Sequence, residues 1–203
     1  MTNRKQLPAN YTARIRGAWQ GRVAGCMLGK AVERFSMRAG AEALQGYLSA
    51  VAALPLRDYI PYDSEKAPEL LLKACCKGQL KASLPDDDVN YSVLALMMLE
   101  AKGANLATED VARAWLLHLP LGSTYTAERA AYRTLISRGR EWFPEGGALG
   151  FYVLECAQND YNDWIGAQIR ADVYGWVAPG DPDLAAQLAT VDAQLSHVGE
   201  GVY

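Results

Sequence analysis

Histidine is scarce in this 203-residue chain, where only His118 and His197 occur. The four cysteines, Cys26, Cys75, Cys76 and Cys156, form neither a CxxC pair nor a dense framework, so a His/Cys zinc site is not the organising feature. Adjacent Cys75 and Cys76 would strain a mutual disulfide, and reduced, buried thiols are expected. An excess of one charge is missing too: 20 basic and 23 acidic residues are scattered to a net −3, leaving no basic stripe for the phosphates of a nucleic acid. No apolar run approaches the roughly 18 residues that span a bilayer. Met1-Thr2-Asn3-Arg4-Lys5-Gln6 is followed by Leu7-Pro8-Ala9-Asn10 and not by the apolar core of a signal peptide. The expected location is the cytoplasm, with neither membrane nor nucleic acid as partner.

What the chain has is helical periodicity. Half of its residues are hydrophobic, and its length suits one domain, residues 1–203, with a sizeable core. Apolar positions recur at three and four over 14–35, 41–54, 68–80, 91–100, 108–119, 124–136, 165–177 and 184–195. No set of alternating strands competes, so the predicted class is all-α. Thr108-Glu109-Asp110 predicts a helix start with a hydroxyl cap and an acidic first turn, and Asp181-Pro182 predicts another, with the aspartate as cap. Loops are predicted over 57–65, 119–123 and 142–150, none long or polar enough to link domains.

Three groups of residues could carry chemistry. Asp86-Asp87-Asp88 runs into a predicted buried helix beginning near Tyr91. One aspartate suffices to cap a helix, and the other two leave repulsion that a hard cation such as Mg²⁺ or Ca²⁺ would relieve; a capped, solvated loop is the other reading. Gly17, Gly21, Gly25 and Gly29 recur every fourth residue and suggest close approach of another backbone, with Glu33 one turn beyond as a surface charge or an acid/base. Residues 162–176 mix aromatic and polar groups as a ligand pocket does, or form an amphipathic helix with Arg170 and Asp172 on its wet side. His197 follows the last predicted helix and would by default cap it.

Taken together these segments resemble a known family. Gly17 to Glu33, with its Gly25-Cys26-Met27-Leu28-Gly29 stretch, is similar to the N-terminal glycine signature of the ADP-ribosylglycohydrolases, Gly-Asp-Ala-Leu-Gly with a glutamate soon after. The aspartate triplet is similar to that family's first metal motif, Thr-Asp-Asp-Thr. Gly166-Ala167-Gln168-Ile169-Arg170, Pro179-Gly180-Asp181-Pro182 and Asp192 to His197 resemble its substrate loop and following helix. The resemblance implies an all-α orthogonal bundle holding two Mg²⁺ ions, Mn²⁺ in some members. The implied reaction is hydrolysis of the glycosidic bond at ribose C1″ of an ADP-ribosylated protein or an ADP-ribosyl small molecule. Carried over by position, Asp86, Asp87 and Asp88 become metal ligands, Glu33 a catalytic acid/base, and Gly166, Arg170 and His197 substrate-binding residues.

The departures are equally specific. Cys26 stands where the signature has aspartate, and Val89 where the metal motif has its second threonine. The second metal motif, Asp-x-Asp-Thr, occurs nowhere in the 203 residues, and Asp181-Pro182-Asp183-Leu184 is the only near miss. The expectation is an N-terminal portion of such an enzyme, poorly active alone. A non-catalytic helical binding or structural module derived from the same family is the alternative. An unrelated calcium-stabilised domain fits less well, because an EF-hand's alternating donors and terminal glutamate are missing around Asp86.

Overall fold

The computed structural model describes residues 7–143 and 150–203. Among the described residues every regular element is helical and there is no strand, as the periodicity predicts. The chain divides into two compact units: Thr12–Asp86, and Met1–Tyr11 together with Asp87–Tyr203.

The Thr12–Asp86 unit rests on α1 (Tyr11–Lys30) and α2 (Glu33–Ala50). The helix predicted over 14–35 is interrupted. α1 stops at Lys30, and a turn through Ala31 and Val32, with the Val32 N–H donating to the Gly29 carbonyl at 3.0 Å, redirects the chain. Glu33 therefore opens α2 instead of extending α1. Gly29 and β-branched Val32 weaken the helix here, and the Ala31 carbonyl accepts instead from the Leu72 N–H at 2.9 Å. α2 is itself broken at Gly40, whose φ of 87° favours glycine.

The helix predicted over 68–80 is reduced to the 3₁₀ turn Lys73–Cys75, flanked by extended Leu72 and Cys76. Its backbone donors are drawn sideways: Leu72 N–H to Ala31, and Lys77 N–H to the Ile60 carbonyl at 2.8 Å. The apolar spacing was real, since Leu71, Cys75 and Cys76 join Met27, Ala31, Tyr47, Leu48 and Ile60 in one core. A compact turn satisfies it as well as a helix does. All four cysteines are free thiols, with Cys75 and Cys76 fully buried.

The Asp87–Tyr203 unit contains α3 (Asp87–Lys102), α4 (Thr108–His118), α5 (Thr126–Trp142), α6 (Leu154–Ala157), α7 (Gly166–Arg170), α8 (Asp172–Val177) and α9 (Pro182–Ala193). Tyr91, Leu94, Ala95 and Met98 put one stripe of α3 into a core shared with Val111, Trp115, Leu135, Leu188 and Leu195. Each buried leucine contributes roughly 1.5–3 kcal/mol by its removal from water. Asp181 caps α9, its Oδ1 accepting from the Leu184 N–H at 3.2 Å, and Pro182 fills the first helical position. Thr108 behaves differently from its prediction: its hydroxyl donates to the Val191 carbonyl at 2.9 Å, and Asp110 accepts the Ala107 N–H at 3.2 Å in its place. The segment 165–177 forms two short helices rather than one. α5 runs on to Trp142, and the Pro144-Glu145-Gly146-Gly147 part of the predicted loop lies outside the described residues. No helix among the described residues is long and apolar enough to cross a membrane.

Candidate functional site

Arg170, the last residue of α7, is 2 % exposed. It therefore lies among apolar neighbours and not on a wet face, while Asp172 is exposed. A guanidinium carries five N–H donors and cannot lose its charge in a protein, so burial demands a partner for each. Nε donates to Asp192 Oδ1 at 2.6 Å and Nη1 to Glu128 Oε1 at 2.5 Å. Nη1 also reaches the Gly166 carbonyl at 3.5 Å, and Nη2 donates to the Asp192 carbonyl at 3.2 Å and to Ser196 Oγ at 3.0 Å. The rings of Trp115 and Tyr91 lie 5.2 and 5.5 Å from the guanidinium carbon. Tyr174 OH donates to the second Asp192 oxygen at 2.5 Å.

Two carboxylates thus share one guanidinium. Burial raises the Glu128 carboxyl from its ordinary value, and the adjacent Arg170 charge opposes that rise. The hydrogen-bonded contact to a permanently charged group favours the ionised carboxylate. Tyr174 is pushed up, by burial first and by the Asp192 charge second, and remains a phenol that donates.

Gly166 and His197 belong to the same cluster. A Cβ on Gly166 would lie 2.0 Å from Glu128 Oε1, so the glycine is what lets the carboxylate reach Arg170. His197 is 1 % exposed, and its Nδ1 lies 2.8 Å from Ser196 Oγ. Ser196 Oγ accepts from Arg170 and shares one further hydrogen bond with Nδ1, donating or accepting according to the imidazole tautomer. Burial, reinforced by the Arg170 charge, lowers His197 to about 4, so it is neutral at physiological pH and not a cationic helix cap. Its Nε2 has no hydrogen-bond partner among the described residues. Gly201 closes against it, since a Cβ there would meet the Asn162 carbonyl at 2.2 Å and His197 Cδ2 at 3.0 Å.

The structure therefore brings Gly166, Arg170 and His197 into one cluster. Tyr174 lies in the 162–176 segment and Asp192 and Ser196 in the 192–197 segment noted in the sequence, but none of them was assigned a role, and Glu128 was not noted at all. Arg170 recurs with Ala167 and Tyr174 at helical spacing, and that apolar setting was the available signal for buried acids on facing helices.

The acidic triplet is split by the division of the chain. Asp86 ends the Thr12–Asp86 unit, where Lys30 Nζ donates to its Oδ2. Asp87 and Asp88 form the first turn of α3, which starts four residues earlier than predicted and places both carboxylates at the positive end of the helix dipole. Glu33 is exposed at the first position of α2. Carboxylate oxygens are the donors that a hard divalent cation takes, so Asp86, Asp87 and Asp88 fit Mg²⁺ by donor chemistry. Cys26 Sγ, within 4.8 Å of an Asp86 carboxylate oxygen, is a softer donor. Gly17, Gly21, Gly25 and Gly29 approach nothing: a Cβ on any of them meets no atom within 4 Å among the described residues, so the predicted close contact is not made here.

Comparison with curated proteins and with solved structures finds no match. The family model described as ADP-ribosylglycohydrolase matches residues 7–203, nearly the whole chain and both of its units. The chain belongs to the ADP-ribosylglycohydrolase family.

Proposed function

We propose that this protein is a Mg²⁺-dependent hydrolase of ADP-ribosyl conjugates, cutting the glycosidic bond at ribose C1″ of an ADP-ribosylated protein or an ADP-ribosyl small molecule. The observation that carries the reading is the family match over residues 7–203. The carboxylates that open α3 are what this chain offers the reaction. Asp86, Asp87 and Asp88 are the residues that would hold the ion, with Mn²⁺ as a substitute. When bound, the ion supplies positive charge that orients ribose hydroxyls and acidifies a water.

The remaining roles belong to the chain's own side chains. Cleavage at C1″ builds oxocarbenium character on the ribose, and a proton must move at the glycosidic atom or at the attacking water. Glu33, exposed at the start of α2, is the carboxylate assigned to that proton. His197, neutral in the fold, is the residue assigned to the nucleotide. Gly166 is assigned to the substrate loop and lets Glu128 reach Arg170, and Arg170 serves that loop as a positioning residue, because all of its donors are used within the protein.

A non-catalytic binding module of the same family is the second reading, favoured by Cys26 and Val89 in place of oxygen-bearing residues of the motifs. Release of free ADP-ribose from an ADP-ribosylated peptide and from ADP-ribosyl small molecules, with Mg²⁺ and with chelator, separates the two. Metal-dependent release, however slow, is the expected result. ADP-ribose binding without any release would overturn hydrolysis in favour of the binding module.

A further inference from the structure

We propose that the irregular segment 158–165, with Tyr161 and Trp164 at its surface, is a docking site for a basic polypeptide, the two rings receiving an arginine or lysine side chain of that partner. The inference goes beyond hydrolysis and does not rest on it, because docking is read without turnover.

The geometry lies within the Asp87–Tyr203 unit. Tyr161 and Trp164 are 37 % and 52 % exposed and stand edge to face, their centroids 5.0 Å apart and their planes at 81°. Ile165, 67 % exposed, continues the apolar surface. The backbone beneath them is firmly held. Asn159 Nδ2 donates to the Ala157 and Ser196 carbonyls at 3.2 and 3.0 Å, and its Oδ1 accepts the Tyr161 N–H at 3.0 Å. The Trp164 N–H donates to the Tyr161 carbonyl at 3.0 Å, and the Val198 N–H to the Asn162 carbonyl at 3.1 Å. Gly201 fits so closely that a Cβ there would fall 2.2 Å from the Asn162 carbonyl oxygen and 2.9 Å from Asp163 Cα. Rings presented on a backbone pinned in this way lose little freedom when a partner arrives.

Charge selects the occupant. Exposed Asp160 and Asp163 immediately precede the two aromatic residues, segment 156–169 contains no lysine or arginine, and the adjoining 198–203 turn adds exposed Glu200. Among the described residues none of these three carboxylates forms an ion pair. Other rings of the chain are covered by its own cations, as Trp142 is by Arg138 at 5.1 Å and Tyr125 by Arg129 at 5.2 Å, whereas among the described residues no cation lies over Tyr161 or Trp164. An indole face is the best aromatic seat for a cation, and the nearby carboxylates attract the same charge while repelling a phosphate. A second copy of this chain fits poorly, because a two-fold contact would set these carboxylates against their own kind.

The test is fluorescence anisotropy of a labelled peptide, acetyl-Gly-Arg-Gly-Arg-Gly-amide, titrated with the full chain. Its citrulline counterpart keeps the shape without the charge, and AMP serves as a competing nucleotide. Wild type should bind the arginine peptide at least about fivefold more tightly than the citrulline peptide. Trp164→Leu keeps apolar bulk without a ring and should weaken the arginine peptide by about fivefold or more, whereas Trp164→Phe should stay within about threefold of wild type. Asp160→Asn/Asp163→Asn should weaken it as well and flatten its salt dependence. Circular dichroism confirms that each variant is helical, and Tyr161→Leu replaces Trp164→Leu if the latter fails to fold. No binding of the arginine peptide by wild type, a smaller preference over citrulline, or a smaller loss in Trp164→Leu overturns the proposal. So does a loss in Trp164→Phe as large as in Trp164→Leu, or an unchanged affinity in the double aspartate variant. Displacement of the peptide by AMP, with AMP affinity lost in Trp164→Leu, would make the rings a nucleobase platform and overturn it too. Each of these outcomes leaves the hydrolase reading untouched, since the rings are assigned no part in cleavage.

Discussion

Arg170 and Asp192 are joined twice: the guanidinium Nε meets the Asp192 carboxylate at 2.6 Å, and Nη2 meets the Asp192 backbone carbonyl at 3.2 Å. One side chain thereby ties the end of α7 to the last turn of α9 and to the Ser196 and His197 turn that follows.

Replacing Arg170 by Met leaves Glu128 and Asp192 buried without their counter-charge. Breaking a buried pair in this way costs about 3–5 kcal/mol. Urea unfolding should show a loss of that size for Arg170→Met. Arg170→Lys should also lose stability, because one ammonium cannot span partners that a planar fork reaches in several directions. A change under about 1 kcal/mol for Arg170→Met would mean that the network is not a structural tie.

Glycines at two places should respond to alanine with opposite signs. At Gly166 the new Cβ would fall 2.0 Å from Glu128 Oε1, so the carboxylate must leave Arg170 or the loop must move. A loss of about 1–3 kcal/mol or more is expected from the overlap. At Gly21, inside α1, a Cβ meets nothing within 4 Å. Gly21→Ala should therefore gain roughly 0.5–1 kcal/mol from helix propensity alone. Thermal unfolding of both variants checks the pair of signs, and a destabilised Gly21→Ala would restore the close-packing reading of the glycine stripe.

The pH dependence of stability follows from His197. Its value in the fold, about 4, lies below the ordinary 6.5. Between those values the unfolded chain binds a proton that the fold refuses, so stability falls as pH drops from about 6.5 toward 4. The difference in slope between wild type and His197→Gln isolates this contribution, which should amount to a few kcal/mol at most across the window. Parallel stability curves for the two proteins would show that His197 is not held neutral.

The helix class was legible because burial imposes apolar spacing on segments such as α3, where Tyr91, Leu94, Ala95 and Met98 form one buried stripe. The start of α9 was legible because Asp181 and Pro182 act through neighbouring backbone. Thr108 shows the limit of the same logic: a hydroxyl suited to capping was recruited by the Val191 carbonyl, 83 positions away in sequence, while Asp110 took the local donor. The segment 68–80 shows another limit, since Leu72 and Lys77 found their partners in Ala31 and Ile60 and the local helix lost its ladder. For the site, the acidic triplet stood out by residue type, and Gly166, Arg170 and His197 were named through the family resemblance. The Arg170 network was not legible, because Glu128 and Asp192 look like ordinary helix charges until the fold buries them against one guanidinium.

Calorimetric titration of Mn²⁺, followed by ADP-ribose, into wild type, Asp87→Ala and Asp88→Ala tests most directly whether the carboxylates opening α3 hold a divalent ion for ADP-ribosyl chemistry. Wild type should bind Mn²⁺ and then ADP-ribose, and both alanine variants should lose Mn²⁺ binding while keeping the wild-type helical circular dichroism. Identical Mn²⁺ affinities in all three proteins would contradict the assignment of Asp87 and Asp88.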